Sequence, residues 1–109
     1  MVGIDVVDLS RIDPDNESLM KKILTEEEYA VFSSIKNQKR KTEYAGGRFA
    51  VKEAIFKATQ DRNWLSYSVL NDHSGKPYIK DHPEIQVSIT HDGGIAAAAV
   101  FIVSEQLSE

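Results

Sequence analysis

Asp5, Arg48, Glu53, Lys57, Lys76 and His91 are the side chains whose types and surroundings could do chemistry. Asp5 interrupts a short apolar run, and a buried carboxylate there must be paired, hydrogen-bonded or metal-bound. The plainer alternative is an edge-strand aspartate facing water. Glu53 precedes Lys57 by one helical turn, a spacing that also suits a surface pair worth only ~0.3–0.5 kcal/mol. His91 stands before a glycine turn and by itself reads equally as a cap. Taken together, two carboxylates on different elements can hold one hard divalent ion. Mg²⁺ typically accepts one or two carboxylates and keeps places for water and phosphate oxygens. Arg48 lies five residues before Glu53, and Lys76 follows Gly75 in a turn; these cations and Lys57 could reach phosphates. A metal with cations and no activated nucleophile is the equipment of phosphoryl or pyrophosphate chemistry. Neither GxxxxGK[ST] nor GxGxxG occurs, so a P-loop or a dinucleotide-binding unit is not supported. The absence of cysteine excludes a disulfide scaffold, a thiolate zinc site and a cysteine nucleophile.

The elements that must position these residues follow from patterning. Residues 2–7 are β-branched and apolar, with Ile4 and Val6 on one face and Asp5 and Val7 on the other. Asp13-Pro14-Asp15-Asn16 is turn chemistry, and a short helix is predicted over 17–24. Thr25 and Glu28 have capping-box spacing, and Glu26, Glu27 and Glu28 suit the positive end of a helix, giving a helix over 25–36. A longer helix is predicted over 42–60, with Tyr44, Val51, Ile55 and Ala58 as its core stripe. Gly46-Gly47 weakens it by roughly 1 kcal/mol per glycine, so a backbone or ligand is expected to approach closely there. The opposite face sets Phe49 and Phe56 around Glu53, so this helix should be covered on two sides. Residues 67–70 and 77–80 flank a turn, and Ile85, Val87 and Ile89 alternate with polar residues as a half-buried strand. His91-Asp92-Gly93-Gly94 is read as a tight reversal into residues 95–103, a central strand whose Ala96–Ala99 run suits close packing. Antiparallel hairpins with segregated helices make the fold class α+β.

With 109 residues the chain is expected to form one domain, residues 1–109, with its own core. Hydrophobic residues are 41% and charged residues 28%, a mix that excludes disorder. Thirteen Lys+Arg against seventeen Asp+Glu give a formal charge of −4, which argues against a dedicated nucleic-acid binder. The local run Lys36, Lys39, Arg40 and Lys41 reads first as a solvated face. No apolar run could cross a bilayer, and the N-terminus lacks a signal-peptide layout, so a cytoplasmic protein is expected.

Three segments resemble a known family. Gly3-Ile4-Asp5-Val6-Val7-Asp8-Leu9-Ser10-Arg11-Ile12, then Arg48-Phe49-Ala50-Val51-Lys52-Glu53-Ala54-Ile55-Phe56-Lys57-Ala58, then Val87-Ser88-Ile89-Thr90-His91-Asp92 resemble the holo-acyl-carrier-protein synthases, the small 4′-phosphopantetheinyl transferases. Each motif alone is short. All three in family order, spanning residues 3 to about 103 with Gly75-Lys76-Pro77 between, are specific. The resemblance implies an antiparallel sheet packed with a long helix. It also implies Mg²⁺-dependent transfer of 4′-phosphopantetheine from coenzyme A to a serine of apo acyl carrier protein, supporting fatty acid biosynthesis. Adenosine 3′,5′-bisphosphate would be the other product.

By this resemblance Asp5 and Glu53 bind Mg²⁺, while Arg48, Lys57, Lys76 and His91 contact coenzyme A. Asp5, Glu53 and Lys57 form the catalytic set. The nucleophile belongs to the partner, and Asp5 acting through water is one option for accepting its proton. A homotrimer with active sites between subunits is implied. Because acyl carrier proteins are acidic, Arg11, Lys21 and Lys22 are the expected docking residues, with the 36–41 run as the alternative. Two departures mark the chain: Gln60 stands where many relatives have glycine before a loop that is short here, over 61–66, and Thr90 replaces a serine. A non-catalytic trimeric module holding coenzyme A or the carrier is the competing reading.

Overall fold

A computed structural model describes residues 1–103 of the chain. Strand β1 (Val2–Asp8) is followed by a 3₁₀ turn, Leu9–Arg11, and by helices α1 (Glu17–Ile23), α2 (Glu26–Ser34) and α3 (Gln38–Thr59). A second 3₁₀ turn, Trp64–Ser66, leads to β2 (Val69–Asn71), β3 (Pro77–Ile79), β4 (Ile85–Asp92) and β5 (Ile95–Ile102). β1, β5 and β4 form an antiparallel sheet with β5 in the centre, and β2 and β3 form a separate hairpin. The α+β expectation and the central last strand both hold.

α3 crosses the inner face of the three-stranded sheet. Gly3, Asp5 and Val7 turn inward, as do Ala96, Ala98, Val100 and Ile102. At the crossing the helix backbone is so close that a Cβ on Gly3 would collide with the Ala54 carbonyl. Alanines at 96 and 98, fully or nearly buried, permit the same approach on β5. The predicted close approach therefore falls on the strand glycine. Gly46 and Gly47 make room instead for side chains, Leu9 and Ile89 respectively.

Several boundaries differ from the sequence reading. α3 begins at Gln38, because the Asn37 side chain caps the Arg40 N–H at 3.0 Å and the Gln38 amide reaches Asp15. α2 is one turn shorter than expected, ending at Ser34, although the Thr25–Glu28 capping box is fully formed. His91 and Asp92 remain paired in β4, opposite Ala96 and Ile95, so the reversal consists of Gly93-Gly94 alone, both at positive φ. Strand alternation leaves the inner face of β1 open, and the structure settles it. Val2, Ile4 and Val6 face outward with Ile95 and Phe101, forming an exposed apolar sheet face.

Candidate functional site

β1 and α3 bring the two predicted carboxylates to one cavity of about 410 Å³. Asp5 reaches it because strand alternation turns it inward, and Glu53 because it lies on the α3 face around Phe49. Asp8 and Arg11 add charge, while Leu19, Ile23 and Phe49 form an apolar wall. Lys57 Nζ donates to Asp5 Oδ1 at 2.9 Å and to the Ile4 carbonyl at 3.1 Å. Glu53 makes no hydrogen bond or ion pair with the described residues. Asp5, Glu53 and Lys57 are thus assembled as predicted, from residues about fifty positions apart in sequence.

Asp8 was not singled out by sequence. Its Oδ1 accepts from the Ser10 N–H at 3.0 Å and the Ser10 hydroxyl at 2.8 Å, which hold its carboxyl below the usual range. The signal was local: Asp8-Leu9-Ser10 is an Asx-type turn that stops the strand. Among the described residues no three His, Cys, Asp or Glu side chains form a metal cage. Two oxygen donors from Asp5 and Glu53 nevertheless fit a hard cation that completes its shell with water and phosphate. The free Glu53 carboxylate beside a cavity is the structural feature that makes this fit.

Other candidates lie elsewhere. Arg48 is buried, its Nε donates to the Val69 carbonyl at 3.2 Å, and its Nη2 donates to Asn71 Oδ1 at 2.8 Å. Its guanidinium also stacks 3.9 Å over Tyr44, and burial lowers its pKa. It ties α3 to β2 and does not face the cavity. His91 sits half-exposed on β4 with Nδ1 3.5 Å from Glu43, towards the other end of α3. Lys76 lies exposed on the β2–β3 turn, lining a different cavity of about 510 Å³. Neither lines the Asp5–Glu53 cavity of the same chain. Lys21 pairs with Glu17 at 3.4 Å and borders a larger cavity, about 950 Å³ along α1 and α2, while Lys22 is exposed. That larger space contains neither predicted metal ligand.

The loop after α3 explains one departure. Gln60 adopts φ +68°, the left-handed conformation that favours glycine at a helix end. The short segment closes on itself: Asp61 accepts from Asn63 N–H and from the Tyr67 hydroxyl, and Trp64 packs edge-on against Phe49.

The sequence also concealed a second acid–lysine pair. Glu28 and Lys52 are completely buried, with Nζ 2.6 Å from Oε1. Lys52 also donates to the Ile23 carbonyl, and Glu28 accepts from the Thr25 and Val69 N–H groups. This hub joins α1, α2, α3 and β2 one residue before Glu53.

Comparison with known proteins adds the family. The model of the 4′-phosphopantetheinyl transferase superfamily matches residues 1–101. The chain is 36% identical over 119 residues to a holo-[acyl-carrier-protein] synthase of Petrotoga mobilis, covering 95% of this chain and 96% of that one. It is 40% identical over 116 residues to the same-named protein of Halalkalibacterium halodurans, covering 97% and 95%. The fold is similar to the crystal structure of a Bacillus anthracis holo-(acyl-carrier-protein) synthase in complex with CoA (3′,5′-ADP), with a TM-score of 0.80, 38% identity and 91% of each chain covered.

Proposed function

Since the chain belongs to the 4′-phosphopantetheinyl transferase superfamily, among its holo-[acyl-carrier-protein] synthases, we propose that it moves 4′-phosphopantetheine from coenzyme A to a serine of apo acyl carrier protein. The observation that carries the reading is the cavity lined by Asp5 and Glu53 where β1 meets α3, with Lys57 bonded to Asp5. In the reaction the serine oxygen bonds to the phosphorus of the phosphopantetheine arm. The bond from that phosphorus to the bridging oxygen breaks, and adenosine 3′,5′-bisphosphate leaves. Lys57 is placed to neutralise the departing phosphate once it turns from Asp5. The serine proton passes to a base within hydrogen-bond reach or one water away, a position open to Asp5. Asp5 and Glu53 would hold Mg²⁺, which would offset the negative charge of the diphosphate.

We further place the active sites between subunits of a homotrimer. The exposed apolar sheet face of Val2, Ile4, Val6, Ile95 and Phe101 supports association, since such patches mark interfaces. The remoteness of His91 and Lys76 from Asp5 also supports it, because a neighbouring copy could bring them to the donor's phosphates. Arg11, at the cavity, and Lys21 and Lys22, on α1, would meet the acidic carrier. The resemblance points to fatty acid biosynthesis in the cytoplasm; no helix among the described residues is long and apolar enough to cross a membrane.

Intact mass spectrometry of an apo acyl carrier protein tests the reading. After incubation with this protein, coenzyme A and Mg²⁺, the carrier should gain one phosphopantetheine, and a chelator should abolish the gain. No gain on several carriers would overturn the activity, and undiminished gain in chelator would overturn the metal requirement. Light scattering tests the assembly: a monomeric mass would refute the trimer.

A further inference from the structure

Lys57 has a flexible stem and a side chain that is 52% exposed, whereas the Asp5 side chain it contacts is 14% exposed. The ammonium therefore supplies charge compensation to a carboxylate that has little water. Glu53, one turn earlier on the same helix, has no such compensation from the described residues. Two carboxylates and one ammonium leave one net negative charge. A divalent ion joining them reverses that sign, and the diphosphate of the donor restores it. With the ion present and the donor absent, Lys57 faces a cation across one carboxylate.

We infer that Lys57 is a stand-in cation, occupying Asp5 until the donor's diphosphate draws it away, so that metal and donor bind cooperatively through this one side chain. The inference rests on the proposed metal site at Asp5 and Glu53. Its thermodynamic content is reciprocal: whatever coenzyme A gains from the metal, the metal gains from coenzyme A. Without donor, Lys57 both competes for Asp5 Oδ1 and repels the ion. That repulsion is several times stronger in partly buried surroundings than in water, because the effective dielectric there is lower. Removing the ammonium should thus strengthen donor-free metal binding, the opposite of what damage to a site does.

The probe is Mn²⁺, followed by the electron paramagnetic resonance of the free ion, with the intact protein and no donor. Lys57→Met should bind Mn²⁺ on the order of tenfold more tightly than the parent, equivalent to about 1.4 kcal/mol. Lys57→Arg, which keeps the cation, should stay near the parent. Added coenzyme A should tighten Mn²⁺ binding more in the parent than in Lys57→Met. Unchanged or weaker binding by Lys57→Met, or equal tightening in both proteins, would overturn the stand-in role. Glu53→Gln separates the two readings: it should weaken Mn²⁺ binding in either background. If it has no effect, the metal site itself fails. If it weakens binding while Lys57→Met gains nothing, only the stand-in role fails.

Discussion

α3 carries two lysines, five residues apart, that reach across to acids on other elements, and their surroundings could hardly differ more. Lys52 and Glu28 are 0% exposed and both Glu28 oxygens are bonded: Glu28 serves the lysine, the α2 cap and the β2 backbone, while Lys52 also serves the Ile23 carbonyl. Asp5 lines a cavity with Glu53, whose carboxylate has no partner among the described residues, and Lys57 reaches Asp5 from α3. Burial lowers the Lys52 pKa while Glu28 pulls it back up, and the pair is held by hydrogen bonds to both carboxylate oxygens and by two from the ammonium. Saturated groups fix geometry. Unsaturated groups beside a cavity are available for ligands. Sequence distance and residue type do not separate the two pairs; burial and the number of bonds each carboxylate accepts do.

The largest effect is expected at the saturated pair. Lys52→Ala leaves Glu28 charged and buried without its ion partner, a loss of about 3–5 kcal/mol. For a domain of this size that lowers Tm by roughly 15–30 °C, measurable by calorimetry. Lys52→Met with Glu28→Gln should recover more than half, because the glutamine oxygen still accepts at the cap. A Tm drop under 5 °C for Lys52→Ala would break the contrast. At the unsaturated site the reverse holds. Asp5→Ala or Glu53→Gln should cut phosphopantetheine transfer by on the order of 10²–10³-fold, about 3–4 kcal/mol of barrier. Stability should move by less for Glu53→Gln, within about 0.5 kcal/mol, because it breaks no contact with the described residues.

The contrast also marks what could be read from the chain. The capping box, the strand alternation at Asp5 and the Glu53–Lys57 spacing are local, and each is formed in the structure. Glu28 was legible as a cap but not as the partner of Lys52, twenty-four residues away, because a capping-box carboxylate looks alike whether exposed or buried. Arg48 was legible as a cation near Glu53, yet its helix face points it at β2 and Asn71. Alternation divided β1 into two faces but did not say which was inner. Ile4 and Val6 look like core residues, and only the crossing of α3 over Gly3 decides that the Asp5 face is the covered one.

A smaller effect should distinguish the cavity rim from its floor. Arg11 lines the cavity and is exposed, without a salt bridge to the described residues. Arg11→Glu should raise KM for the carrier about tenfold at low salt and leave kcat nearly unchanged. The difference should shrink at high salt, since the Debye length falls from ~10 Å at 0.1 M to 3 Å at 1 M. A kcat loss independent of salt would move Arg11 from docking to chemistry.

The Tyr67–Asp61 contact lies between the two extremes and gives the finest test. The Tyr67 hydroxyl donates to Asp61 Oδ2 at 2.7 Å, and burial together with that bond pushes the phenol up to about 12. The same bond holds the Asp61 carboxyl below the usual range. For Tyr67 the folded pKa lies above the unfolded value of 10.0, so in between the unfolded chain binds fewer protons. Its stabilisation is complete below pH 10 and lost as pH rises towards 12. For Asp61 the sign is opposite: stabilisation is present above pH 3.8 and lost as pH falls through its folded value. Because the bond is only part-buried, the pair should contribute only about 1 kcal/mol, less than a fully buried charged hydrogen bond. Tyr67→Phe should therefore lower stability by that amount at neutral pH and flatten the loss between pH 10 and 12, read by denaturant titration at each pH. If the variant kept the parent's alkaline slope, partial saturation at a part-buried acid would count for nothing. Of the two contacts, the fully buried Glu28–Lys52 pair alone would then hold the fold by charge.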